Sequence, residues 1–214
     1  MKTKKTWLAV AFLIIAFAGY AQVDDSKSKD ILNNAGAKFE NHDDVRIEFT
    51  YDMTNEEYDI HEEYSGKAWM KKEKYKIDLK KQIIMSDGET IWTYLPGSKE
   101  VQVASAGDND ENNPLKILTN WQENYRSKYI RTEFVSGHTV DIVDLVPKDG
   151  KSFFKVRVRI DQKSKQLISS SIYDKNGTTY TYIIEDFKTN TGLSDSTFRF
   201  NKSEHPDVEV IDLR

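Results

Sequence analysis

A mainly β fold, built as a single strongly curved antiparallel sheet or barrel, is predicted for this 214-residue chain by three features. Apolar and polar residues alternate with period two through most of the sequence. Turn residues punctuate that alternation at short intervals, and the connections leave little room for crossover helices. About eleven strands in antiparallel succession are predicted on these grounds.

The N-terminal end departs from that pattern. Lys2, Lys4 and Lys5 precede an apolar run from Trp7 to Ala18, and Gly19-Tyr20-Ala21 follows with small residues. This is the layout of an export signal, and the run is short of the about 20 residues a comfortable membrane span needs. Residues 1–21 are therefore expected to be a signal peptide cleaved after Ala21, leaving 22–214 as one domain. There is no cysteine, which excludes a disulfide framework, a thiolate metal site and a lipid anchor on an N-terminal Cys of this chain. The precursor carries 31 basic and 35 acidic residues. Without the three leader lysines, 28 basic residues remain and the net charge is −7, which argues against nucleic acid as a partner.

The mature chain opens with a predicted helix over Asp24–His42. Ile31, Leu32, Ala35 and Phe39 recur at helical spacing, although Gly36 weakens the element by roughly 1 kcal/mol relative to Ala. The period then switches to two. Val45, Ile47, Phe49, Tyr51 and Met53 share one face of a strand, and Arg46, Glu48, Thr50 and Asp52 share the other. Further strands are predicted over Tyr58–Met70, Lys74–Leu79, Ile83–Ser86, Thr90–Tyr94 and Glu100–Ala104. Beyond them come Lys128–Val135, Thr139–Val146, Phe153–Asp161, Gln166–Tyr173 and Thr178–Phe187. Asp87-Gly88, Pro96-Gly97, Ser136-Gly137, Asp149-Gly150 and Asn176-Gly177 supply turns between them. The tail from Phe198 to Ile211 reads as two closing strand fragments around a polar loop at Pro206.

One interruption stands out. After a polar acidic stretch, Asn113 is placed to cap a short helix with Pro114 at its first position. Leu115, Ile117, Leu118 and Trp121 make that helix apolar on much of its surface. Such a helix needs an apolar surface to cover, and the concave side of the sheet is the obvious one.

No constellation for catalysis is visible. His42, His61, His138 and His205 are scattered and expected at the surface, no metal-ligand spacing is present, and there is no nucleophile elbow or phosphate loop. The chain is expected not to be an enzyme and to carry no cofactor.

The segment Ile83–Val103 is the most specific part of the chain. Its S-D-G turn leads into a strand bearing Trp92 and Tyr94, then a second turn and a Q-V strand. This block resembles the signature of the LolA family of periplasmic outer-membrane lipoprotein carriers. Four further elements resemble that family in order: the opening helix with its V-R-I-E-F-T strand, Tyr64-Ser65-Gly66 with Trp69, N-P-L-K-I-L-T-N as a lid helix, and the F-x-F…P-x-x-V tail. The resemblance implies an open antiparallel half-barrel with helices covering its concave face. It further implies a monomeric periplasmic carrier that binds acyl chains of lipoproteins. Cargo would come from an inner-membrane ABC release complex and pass to an acceptor at the outer membrane whose nature the sequence leaves open. A lipid- or lipoprotein-binding sensor of the same fold is the alternative. One departure concerns the lid: the family's Trp is followed by an Arg-Pro pair, whereas Lys72 and Glu73 stand at the matching places here. Lysine lacks the planar fork that bridges two carbonyls, so whether Lys72 substitutes for that arginine is open.

An acyl cargo needs apolar wall area, at about 0.8 kcal/mol for each buried methylene. The residues expected to line such a cavity are Ile47, Phe49 and Tyr51 on the first strand. Trp69, Tyr75 and Ile77 are expected from the next two, and Met85, Trp92 and Tyr94 from the signature block. Leu115 and Leu118 are expected from the lid, with Pro114, Ile117 and Lys72 governing its closure. Alternation alone does not distinguish such a wall from an ordinary dry core.

Overall fold

The computed structural model describes residues 25–107 and 121–214. Helix α1 (Ser26–Glu40) starts where Asp25 caps it, its carboxylate accepting the Ser28 backbone N–H at 3.0 Å. The helix is strapped to the sheet through the same turn. Ser28 Oγ lies 2.7 Å from Ser127 Oγ, and the other Asp25 carboxylate oxygen accepts the Tyr129 backbone N–H. Farther along, Gln122 donates to Asn33 at 2.7 Å.

Twelve strands follow among the described residues: β1 (Val45–Asn55), β2 (Ile60–Lys71), β3 (Lys74–Asp78), β4 (Ile83–Ser86), β5 (Thr90–Leu95) and β6 (Glu100–Ser105), then, after the short helix α2 (Trp121–Asn124), β7 (Tyr125–Val135), β8 (His138–Pro147), β9 (Phe153–Asp161), β10 (Leu167–Asp174), β11 (Thr179–Thr189) and β12 (Glu209–Asp212). They form one open sheet in the order β12-β6-β5-β4-β3-β2-β1-β11-β10-β9-β8-β7. Two runs of hairpins are thus joined at the centre by the long antiparallel β1–β11 pair, from Val45 opposite Thr189 to Thr54 opposite Thr179. The chain leaves the sheet at β6 and re-enters at β7, near and at opposite ends of the strand order. The ends do not pair with each other, so the sheet stays open. It curves enough for strands from both halves to wall one cavity with α1.

The tail differs from its prediction. Phe198 ends a 3-10 turn (Asp195–Phe198) rather than a strand, and a second turn (Lys202–Glu204) precedes β12. Only β12 is a strand, and it pairs parallel with β6, the one parallel pair among the described strands. Local contacts explain the first turn. Ser194 caps it, and Asp195 accepts from Lys71 at 3.0 Å and Lys74 at 2.6 Å, which ties it to the β2–β3 hairpin. The expected signal peptide and lid helix lie outside the described residues, apart from Trp121, which opens α2. No helix of the described residues is long and apolar enough to cross a membrane.

The core falls into two clusters on the α1 side of the sheet. One is dense: Leu32 and Ala35 of α1 with Trp121, Tyr125 and the β8–β9 residues Val143, Leu145, Val156, Val158 and Ile160. The other gathers Val45, Ile47, Phe49, Ala68, Met70 and Tyr75 on β1–β3. Between them the packing is incomplete.

Candidate functional site

A cavity of about 260 Å³ occupies that gap. Its roof is the second half of α1, through Ala35 and Phe39, with His42 just beyond the helix end. Its floor comes from the cross-strand row Ile47–Ala68–Ile77–Ile84, four residues opposite one another on β1, β2, β3 and β4. Residues directly paired across antiparallel strands share a face, so this row is the α1 side of the sheet. The far wall is Tyr182, Ile184 and Phe187 of β11 with Ile172 of β10. Besides Tyr182, its polar lining is Lys38 from α1, His42 just past the end of that helix, Lys165 and Gln166 from the β9–β10 turn, and Ser170 of β10.

An aromatic shelf continues the same face past the cavity. The Phe49 ring lies 5.8 Å from Tyr182, and Tyr182 lies 5.0 Å from Tyr51. Tyr51 in turn stacks on Tyr64 and on Tyr180, each at 6.2 Å. Burial pushes the Tyr182 hydroxyl well above the usual tyrosine range, with Tyr51 and Tyr180 adding to the shift. The neutral phenol is the form this apolar wall accommodates.

The expected lining residues divide by face. Ile47, Phe49 and Ile77 line the cavity. Tyr51 stands beside it in the shelf, and Tyr75 is on the same face but fully buried in the core. Trp69, Met85, Trp92 and Tyr94 are on the opposite face, and their expected place on the cavity wall is corrected. The register is explicit: Arg46–Trp69–Lys76–Met85–Trp92–Val103 form one row across β1 to β6, offset by one residue from the cavity row. With a side-chain period of two, that single step moves the whole set to the other side. There Trp69 is sandwiched between Arg46 and Lys76, and Tyr94 packs on Phe200 and His205 of the tail. Lys72 is exposed in the β2–β3 turn with φ of 54°. Pro114, Leu115, Ile117 and Leu118 lie outside the described residues.

Several cavity residues are not singled out by the sequence. Helical spacing puts Phe39 and Ala35 on the apolar side of α1 without giving them a destination. Tyr182, Ile184 and Phe187 carry a legible signal: alternation that runs to Ile184 and resumes at Phe187 marks a bulge, which the pairing shows between Glu48 and Phe49 opposite them. His42, expected at the surface, instead faces the cavity and meets the Phe187 ring at 6.3 Å. Among the described residues no group of three or more His, Asp or Glu could hold a metal ion.

The molecule is thus an open, curved, almost wholly antiparallel sheet that encloses an apolar cavity beneath a helix. The family model "Outer membrane lipoprotein carrier protein LolA" matches residues 40–201, about three quarters of the chain. The chain belongs to the LolA family. It is 30% identical over 131 residues to an outer-membrane lipoprotein carrier protein of Actinobacillus pleuropneumoniae serotype 7 (strain AP76), covering 59% of this chain and 58% of that protein. It is 31% identical over 132 residues to the one of Pasteurella multocida (strain Pm70), covering 61% and 60%. The chain thus spans about three fifths of the length of the curated relatives it matches. Among solved structures, an uncharacterized conserved protein from Thermus thermophilus shares the fold, with a TM-score of 0.60, 10% identity, and coverage of 87% of this chain and 99% of that one.

Proposed function

We propose that the protein is a periplasmic carrier that holds the acyl chains of lipoproteins released from the inner membrane and delivers them to the outer membrane. Family membership supports this reading, and the unfilled apolar cavity under α1 is the observation that carries it. Such a protein acts by binding and release, with no bond made or broken. It would work as a monomer between an inner-membrane ABC release complex and an outer-membrane acceptor.

The dimensions suit that task. A dry cavity of about 150 Å³ takes benzene, so by that scale the space here accepts roughly ten carbons. At about 0.8 kcal/mol per methylene, burying them supplies on the order of 8 kcal/mol. A longer chain would run out along the rings of Phe49, Tyr182 and Tyr51, which offer further apolar area. Partial burial keeps the cargo from water while leaving the complex easier to unload than full enclosure would, so transfer to a better site proceeds without an energy source.

The test is extraction of the purified mature chain with organic solvent, followed by mass spectrometry, in the parent and in Ile184→Trp. Acyl species recovered from the parent and lost from the folded variant support the carrier. A parent that yields none, and binds no acylated peptide when one is offered, sinks it.

A further inference from the structure

We propose that one end of the cavity is a head-group site for an anionic single-chain lipid, an acyl chain ending in a carboxylate or phosphate. This rests on reading the cavity as an acyl site and adds the class of head group it prefers.

The argument is one of charge placement. The chain has 35 acidic residues against 31 basic ones, yet among the described residues no Asp or Glu lines the cavity, while Lys38 and Lys165 both do. Some lysines elsewhere are paired with carboxylates, as Lys67 is with Glu48 and Lys71 and Lys74 are with Asp195, while others, such as Lys76, Lys81, Lys148 and Lys175, meet aromatic rings or carbonyl oxygens. Lys38 and Lys165 have none among the described residues, and the nearest acid in sequence to Lys165, Asp161, is already engaged. Its carboxylate accepts from the backbone N–H groups of Lys163 and Ser164, the Ser164 hydroxyl and His138. Two lysines without carboxylate partners among the described residues thus line the cavity, one on the last turn of α1 and one on the β9–β10 turn.

His42 Nε2, beside Phe187, and Ser170 Oγ, on the strand residue opposite Tyr182, are buried and make no hydrogen bond among the described residues. Both line the same cavity. Buried polar atoms ordinarily have partners, and a head-group oxygen supplies one. The C-terminal end of α1 opposes an anion with about half a unit charge, which the two ammonium groups outweigh.

Ten-carbon probes matched in chain length test this on the mature chain: decanoate, decyl phosphate, neutral decanol and an uncharged N-decanoyl peptide amide, titrated calorimetrically. At low salt an anionic probe is expected to bind roughly tenfold tighter than decanol, since two exposed pairs contribute modestly each. The margin should shrink as salt rises. Lys38→Gln with Lys165→Gln should abolish the margin and leave decanol binding unchanged. Preference for decanoate alone points to a fatty-acid head, and for decyl phosphate alone to a phospholipid-like head. Equal binding of all probes, or a margin that survives the double variant, overturns the head-group site while the acyl carrier stands. If no probe binds, including the acylated peptide, the carrier reading falls with it.

Discussion

The ring of Phe49 occupies the space left by the missing side chain of its cross-strand neighbour Gly66. A β-carbon built on Gly66 would lie 2.4 Å from Phe49 Cζ, 2.6 Å from Cε2 and 3.1 Å from Leu79 Cδ2. Glycine in a strand interior weakens it unless something must come close, and here the close object is a wall of the cavity. Gly66→Ala is expected to cost about 1–3 kcal/mol by overpacking, read from denaturant unfolding. Combined with Phe49→Leu, the added cost of the alanine should fall, because the clash is with the ring. Equal cost in both backgrounds would sink this account.

The opposite faces of the sheet provide a second test. Ile184→Trp should lower affinity for an alkyl probe at least tenfold by occupying the cavity, about 1.4 kcal/mol or more. Trp92→Ala should leave that affinity unchanged, because Trp92 is in the row behind the sheet. Competition against a fluorescent fatty acid measures both, and reversed sensitivities would show the face assignment to be wrong.

Tyr94 fastens the tail. Its ring lies 5.4 Å from Phe200 and 4.8 Å from His205, which themselves stack at 5.2 Å. Tyr94→Ala should cost on the order of 1–2 kcal/mol. Hydrogen exchange should accelerate in residues 199–212 and stay unchanged in α1. Uniform acceleration would indicate that the tail is not separately held.

Acid should weaken the fold through buried carboxylates at the sheet's rims. Burial alone would raise the Asp161 carboxyl. The Ser164 N–H and hydroxyl, His138 and the Lys163 N–H outweigh it and hold the group at about 2, against an ordinary 3.8. Asp44 is likewise lowered despite burial, by the Thr191 hydroxyl and the backbone N–H groups of Leu193, Thr191 and Gly192. A depressed folded-state pKa stabilises above the unfolded value and is lost as pH falls through the folded one. Unfolding free energy should therefore be flat from about pH 7 to 5 and decline between about 4 and 2. Asp161 contributes on the order of 1–2 kcal/mol of that after allowance for screening. Asp161→Asn should flatten its share of the pH profile. An unchanged slope would remove this residue from the explanation.

Much of the architecture is legible in the sequence because strand formation is local. Ile83–Ser86 and Phe153–Asp161 match the predicted bounds, and the other strands of the hairpins differ only at their ends. Helix α1 begins and ends two residues inside its predicted span, where Asp25 and Asn41 cap it. The tail misleads because Phe198-Arg199-Phe200 alternates like a strand, while the capping Ser194 and the distant Lys71 and Lys74 decide its conformation. Of the predicted wall, Ile47, Phe49 and Ile77 reach the cavity and Trp69, Met85, Trp92 and Tyr94 do not. Both sets alternate with the same period.

Taken alone, the sequence determined that strands form, where they turn, and which residues share a face. It could not determine which face is hollow. Strands β2, β4 and β5 offer apolar residues on both sides, so the outcome there depends on what covers them. Helix α1, held to β7 through Asp25 and Ser28, roofs one side incompletely. The tail, fixed by Asp195, Tyr94 and β12, packs against the other. Those partners come from opposite ends of the chain, and only their tertiary placement left the space beneath Phe39 and His42 open.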